Sequence, residues 1–152
     1  SVIYLYPKDF DNKDKINTQR KEYQKKWFND NMEKIYQNVR SRKEYDPVYK
    51  IREQIRVLIR NSIRKKGYKK DSRTYEILGC DYDTFYNHLL RTFIDNYGYE
   101  WDGIEEVHID HIIPISSAKN EAEVYKLCHY TNLQLLKPKD NMSKQDKLDW
   151  KP

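Results

Sequence analysis

The stretch that decides the fold is Ile104-Glu105-Glu106-Val107-His108-Ile109-Asp110-His111-Ile112-Ile113-Pro114-Ile115. Partial alternation from Ile104 to Asp110, with Val107 and Ile109 on one side, predicts a strand. Pro114 has no donor for a ladder and marks where the chain leaves regular pairing. Beyond it, Asn120 can cap a short helix through Val124 and Leu127. Asn132 to Leu136 then reads as a second short strand, and Pro138 opens a final helix over Asn141 to Leu148. The predicted order is strand, long loop holding a small helix, strand, helix.

Upstream, Asp46-Pro47 predicts a helix start. Ile51, Ile55, Leu58, Ile59 and Ile63 recur at helical spacing and form one apolar face. Arg52, Arg56, Arg60 and Arg64 repeat at i, i+4 on its flank, a ladder of guanidinium groups beside a packing surface. Gly67 ends this helix, and Lys65, Lys66, Lys69 and Lys70 crowd its C-terminus, where the helix dipole favours cations. Asp81 or Asp83 caps a further helix with Phe85, Leu89 and Phe93 on one face, a core set rather than a stacking platform. Before Tyr45, Val2 to Tyr6 reads as a short strand or an arm. Asn17 or Thr18 caps a polar helix carrying Tyr23 and Trp27. Asn29, Asp30 and Asn31 are expected to interrupt it before a second helix with Ile35 and Val39. The expected class is α+β in three regions: a polar helical arm over 1–46, a basic helical region over 47–100 and a compact core of two strands and a helix over 101–152.

The chain has 152 residues, with 38% hydrophobic and 35% charged, and net charge +5. So lean a composition builds one small core, with part of the chain left over as an arm. No apolar run approaches the ~18 residues of a membrane span, and the early charges Lys8, Asp9 and Asp11 do not suit a signal peptide. Two cysteines, Cys80 and Cys128, make no disulfide framework, so a reducing, cytoplasmic setting is expected. Between Lys50 and Lys70 nine basic residues face one acid, leaving the rest of the chain net acidic. So concentrated a stripe fits phosphate neutralisation on a nucleic acid; an acidic membrane surface is the rival partner, and a solvated helix face is the plainer alternative.

The chemistry gathers in the third region. Phosphodiester hydrolysis needs a base to take a proton from water, a cation to offset charge on the phosphate and leaving oxygen, and a group to fix the base's tautomer. Histidine suits the first task, and Asp and Asn oxygens suit a hard cation such as Mg²⁺. Asn141 and Lys144 stand three apart on the last helix and so share a face. His108, two residues before Asp110, lies on the same side of the strand. Among an extra ligand, a DNA contact and an ordinary strand residue, the last is the expectation.

Asp110-His111-Ile112-Ile113-Pro114, Asn132-Leu133-Gln134-Leu135 and Asn141-Met142-Ser143-Lys144 together resemble the HNH nuclease motif of phage and intron-encoded (homing) endonucleases and of CRISPR effector nucleases. Leu78-Gly79-Cys80, Tyr97-Gly98 and Cys128-His129-Tyr130-Thr131-Asn132 extend the likeness to small phage-type members, over roughly residues 74–148. The resemblance implies a ββα-metal finger and a metal-dependent DNA endonuclease. His111 would be the general base, and Asp110 and Asn141 would hold one divalent ion, Mg²⁺ first and Mn²⁺ second. Asn132 would bridge loop and strand and orient His111, and Lys144 would stabilise the pentacovalent phosphate. The third motif position is Asn141 rather than His, as in the Asn-ended branch. Many relatives carry Cys-x-x-Cys zinc knuckles. This chain has none, and Cys128 beside His129 is no finger-like ligand pair, so structural zinc is not expected. DNA contacts are expected from Arg52, Arg56, Arg60, Arg64, Lys65, Lys66, Lys69 and Lys70, and the protein is expected to act as a monomer. The alternative function is a DNA-binding module that keeps the fold without catalysis; binding alone requires none of the five motif residues.

Overall fold

A computed structural model of the protein describes residues 8–152. The strand or arm expected over Val2 to Tyr6 lies outside them. In chain order the elements are helices α1 (Lys8–Tyr45), α2 (Pro47–Lys65), α3 (Thr74–Leu78) and α4 (Tyr82–Tyr97), then strand β1 (His108–His111), helix α5 (Glu121–Leu127), strand β2 (Leu133–Leu136) and helix α6 (Pro138–Lys144). The class is α+β, mostly helical, with a two-stranded antiparallel sheet. The chain divides into two units, Ser1–Arg42 and Lys43–Pro152. The second unit takes in both the basic helical region and everything after it. Among the described residues no helix is long and apolar enough to cross a membrane.

From Lys8 onward the first unit is one continuous stretch of helix, not two helices broken at 29–31. The polar side chains read as caps bond one turn back instead. Asn31 Nδ2 donates to the carbonyl of Trp27 (2.8 Å), and Thr18 Oγ1 donates to that of Asp14 (2.8 Å). Satisfied this way, Asn and Thr stay inside a helix rather than ending it. Tyr23, Trp27 and Phe28 are exposed along it.

Helix α2 starts where the sequence places a helix start. Asp46 Oδ1 accepts from Tyr49 N (3.0 Å) and Pro47 takes the first helical turn, so α2 begins with a satisfied cap. Ile51, Ile55, Ile59 and Ile63 are buried, while Leu58 is only half-buried. They share one core with Phe85, Leu89 and Phe93 of α4, Val107 and Ile109 around β1, and Leu133 and Leu135 of β2. Each such side chain, moved from water to the core, contributes about 1.5–3 kcal/mol. Gly79 and Gly98 close α3 and α4 in the left-handed conformation, and Gly79 has a second reason to be glycine: a Cβ there would stand 2.4 Å from His129 Nε2.

β1 pairs with β2 in the register His108↔Leu136, Ile109↔Leu135, Asp110↔Gln134 and His111↔Leu133. The strand begins later than its sequence pattern implies. Asp102 Oδ1 accepts from the backbone of both Ile104 and Glu105 (2.8 Å each), holding those residues in a turn and leaving Ile104 exposed. Two strands alone are marginal in water, and here α4 supports them. Thr92 Oγ1 accepts from Leu135 N (3.1 Å), and His88 Nε2 lies 2.9 Å from the carbonyl of Leu133. Tyr97 OH accepts from Lys137 N (2.9 Å) and donates to Asp140 Oδ2 (2.7 Å), fixing the start of α6. Burial and Asp140 push that phenol up to about 12, so it remains a donor.

Candidate functional site

Strand alternation sorts the central residues. His108 and Asp110 lie on one side of β1, and Ile109 and His111 on the side packed into the core. Opposite Asp110, Gln134 Nε2 donates to its Oδ2 (3.0 Å). α6 supplies the rest. Lys144 Nζ sits 3.1 Å from Asp110 Oδ2 and donates to the carbonyl of His111 (2.8 Å), with its side chain 2% exposed. Asn141 Nδ2 lies 3.2 Å from His108 Nδ1. Asp110, Asn141, His108 and Lys144 are therefore brought to one place by β1 and α6, and Lys144 is held internally rather than presented to solvent.

His111 is 7% exposed. Its Nε2 lies 3.8 Å from Cys128 Sγ, also buried. Burial, reinforced by the charge of Lys144, pushes the imidazole down to about 4, while burial pushes the Cys128 thiol up to about 12. Both groups are neutral around pH 7. Among the described residues the buried side-chain polar atom that lacks a partner is Gln54 Oε1. Nδ1 of His111, which also makes no hydrogen bond there, is therefore not sealed from solvent.

Asn132 clasps the chain just past His111. Its backbone carbonyl accepts from Ile112 N (2.8 Å) and its Oδ1 from Ile113 N (2.9 Å), and its Nδ2 donates to the carbonyls of Ile113 (3.0 Å) and Leu127 (2.8 Å). The amide is saturated by backbone from both ends of the long loop, which suits it to holding β1's exit rather than to contacting a substrate.

The basic helix is less uniform than its sequence. All four arginines of the ladder are exposed. Arg56 pairs with Glu53 (3.1 Å), and Arg52 lies over the Tyr82 ring, 4.8 Å from its centre. Lys66 Nζ is spent on the carbonyls of Ser116 (2.9 Å) and Ala118 (2.8 Å), and Lys70 Nζ on that of Ser72. Arg60, Arg64, Lys65 and Lys69 make no such bond or pair among the described residues. A cleft of about 680 Å³ lies between α2 and the β1–α6 site, lined by Lys50, Gln54, Asn61 and Lys65 on one side and by His108 and Asn141 on the other. None of the ladder arginines lines it. His108 reads in the sequence as an ordinary strand residue, and the cleft residues that sequence reasoning passed over are thus Lys50, Gln54 and Asn61. Their signal is helical phase: positions 50, 54, 57, 61 and 65 form a stripe distinct from both the isoleucines and the arginines.

No cluster of three or more His, Cys, Asp or Glu residues able to hold a metal occurs among the described residues. A candidate cation site here must therefore use an amide oxygen, and Asp110 with Asn141 offers one. Both bonds to Asp110 fall on Oδ2, so Oδ1 has no hydrogen bond among the described residues. One carboxylate oxygen and one carboxamide oxygen fit a hard divalent ion that keeps several waters. No family model, no curated protein and no solved structure matches the chain.

Proposed function

We propose that the chain is a metal-dependent DNA endonuclease of the HNH class, with β1, β2 and α6 working as a ββα-metal finger. The observation that carries this reading is the convergence of Asp110, Asn141 and Lys144 beside His111, on the two elements where the motif requires them. A divalent cation held by Asp110 and Asn141 would offset charge on the scissile phosphate and the leaving oxygen. His111 takes the proton from the attacking water through Nδ1. Its Nε2 lies 3.8 Å from Cys128 Sγ, and in the tautomer that carries the proton on Nε2 the lone pair is left on Nδ1. Burial keeps this imidazole neutral at physiological pH, with its lone pair free, while making it a weaker base than an ordinary imidazole.

Lys144 positions the site by tying the Asp110 carboxylate to the His111 backbone, a role its burial suits better than contact with a phosphate. Asn132 holds the chain immediately after His111. Double-stranded DNA is drawn in by Lys50 and Lys65 at the cleft and by the arginines on the neighbouring flank of α2. The test is incubation with supercoiled plasmid in Mg²⁺ or Mn²⁺, with and without EDTA. Nicked or linear product is expected with metal only, and none from Asp110→Ala. A parent protein that retards DNA in gels yet never cuts it would replace this reading with that of a non-catalytic binding module.

A further inference from the structure

We propose that His108 is the third protein ligand of the cation, so that the site is a nitrogen-containing His–Asp–Asn set that selects Mn²⁺-like transition ions over Mg²⁺. The inference rests on the reading of Asp110 and Asn141 as a metal site and extends it to the ion chosen. Its first ground is placement. His108 shares Asp110's side of β1, and its Nδ1 is 3.2 Å from the Asn141 carboxamide. A half-turn of that carboxamide exchanges Nδ2 for Oδ1 and sets two lone-pair atoms at this separation. Two neighbouring ligands of an octahedral ion, each ~2.1 Å from it, are ~3 Å apart. The pair therefore already has the spacing that a shared cation demands.

The second ground is the far side of the ring. His108 Nε2 lies 3.7 Å from Glu106 Oε1. The contact is beyond hydrogen-bond distance, but a nearby carboxylate favours the proton on the nitrogen that faces it and so the lone pair on the other. Here that other nitrogen is Nδ1, facing Asn141. The third ground is access. The His108 side chain is 40% exposed and lines the cleft with Asn141, so an ion and its waters can reach it. Imidazole ligates first-row transition ions, with Mn²⁺ the weakest of the series Mn²⁺, Fe²⁺, Co²⁺ and Ni²⁺, whereas Mg²⁺ takes oxygen ligands and water.

The experiment is calorimetry of Mn²⁺ and Mg²⁺ binding to the full chain, with pulsed EPR of the Mn²⁺-loaded protein, for the parent, His108→Ala, His108→Asp and Asp110→Ala. The parent is expected to bind Mn²⁺ more tightly than Mg²⁺ and to show coupling of the manganese to an imidazole nitrogen. His108→Ala should lose that coupling and weaken Mn²⁺ binding on the order of 10-fold. His108→Asp, an oxygen ligand, should narrow the preference for Mn²⁺ over Mg²⁺. If Asp110→Ala loses Mn²⁺ but His108→Ala keeps its affinity and coupling, the role of His108 is overturned while the Asp110–Asn141 site stands. If Asp110→Ala binds Mn²⁺ like the parent, the site itself is wrong and the inference falls with it.

Discussion

The ammonium of Lys144 lies 3.1 Å from the carboxylate of Asp110, and 2.8 Å from the carbonyl of His111, with almost none of its side chain exposed. A buried charge persists only when paired and hydrogen-bonded, and this lysine has both. It acts as a strut that joins α6 to the end of β1 through charge.

Replacing Lys144 by Met keeps the length of the side chain and removes the charge. Asp110 would keep Gln134 but lose its counter-ion, and the His111 carbonyl would lose a donor. Breaking one partner of a buried pair costs about 3–5 kcal/mol, and Asp110 is 13% exposed, so the lower end is expected here. Urea unfolding in EDTA reads this directly. A midpoint like the parent's would mean that Lys144 is dispensable to the fold.

His111 makes the fold sensitive to acid. Its folded value of about 4 lies below the ordinary 6.5, so the unfolded chain takes up a proton that the folded chain refuses. Its contribution is complete above about pH 6.5 and is lost as pH falls from there toward about 4. Between about pH 7 and pH 5 the loss is about 2 kcal/mol. Urea midpoints across that range, measured in EDTA, should fall for the parent and fall less for His111→Gln. Parallel curves for the two proteins would show that His111 is not the group responsible.

The α2 and α4 faces and the strand–helix–strand–helix order could be read from the chain because each rests on a clear period or a cap. The unbroken α1 could not, since an Asn that bonds one turn back looks in sequence like one that caps. The late start of β1 turns on a single Asp102 side chain holding two backbone amides, which alternation does not reveal. The burial of His111 was implicit in the alternation that put Val107 and Ile109 inward, because His111 is in phase with them. Lys144 on a seven-residue helix has too little period to betray that it points inward. The cleft lining was hidden for a different reason: Lys50, Gln54 and Asn61 become a site only when β1 and α6 pack opposite them.

The arginine ladder and the cleft lysines should differ in what they do. Arg60 and Arg64 are exposed and without intrachain partners among the described residues, so they can take phosphates at little cost. Changing Arg56, Arg60 and Arg64 together to Gln should weaken binding on all DNA sequences alike. It should also flatten the log–log salt slope by up to ~0.9 for each phosphate that is no longer neutralised. An unchanged slope would make the ladder a solvated face. Lys50→Gln with Lys65→Gln should in addition reduce cleavage of already bound DNA, because these two line the cleft with His108 and Asn141.

His111 separates chemistry from binding. As the base it must be neutral, and burial ensures that well below pH 7. His111→Ala removes the imidazole while Asp110, Asn141 and the basic helix remain. Because the ring is buried against Cys128, the substitution also opens a cavity, so a thermal melt must first show that the variant is folded at the assay temperature. Single-turnover cleavage of bound DNA in Mn²⁺ should then fall on the order of 10²-fold or more, the usual worth of a positioned base. Affinity for the same DNA in Ca²⁺ should change little, since an uncharged ring neutralises no phosphate. His108→Ala, tested beside it, should slow cleavage less when Mn²⁺ is raised to saturate the weakened site, whereas no concentration of metal should rescue His111→Ala. A His111→Ala protein that is folded and cuts at the parent's rate would remove His111 from the chemistry. One that loses affinity as steeply as rate would make it a residue that shapes the DNA-binding surface instead.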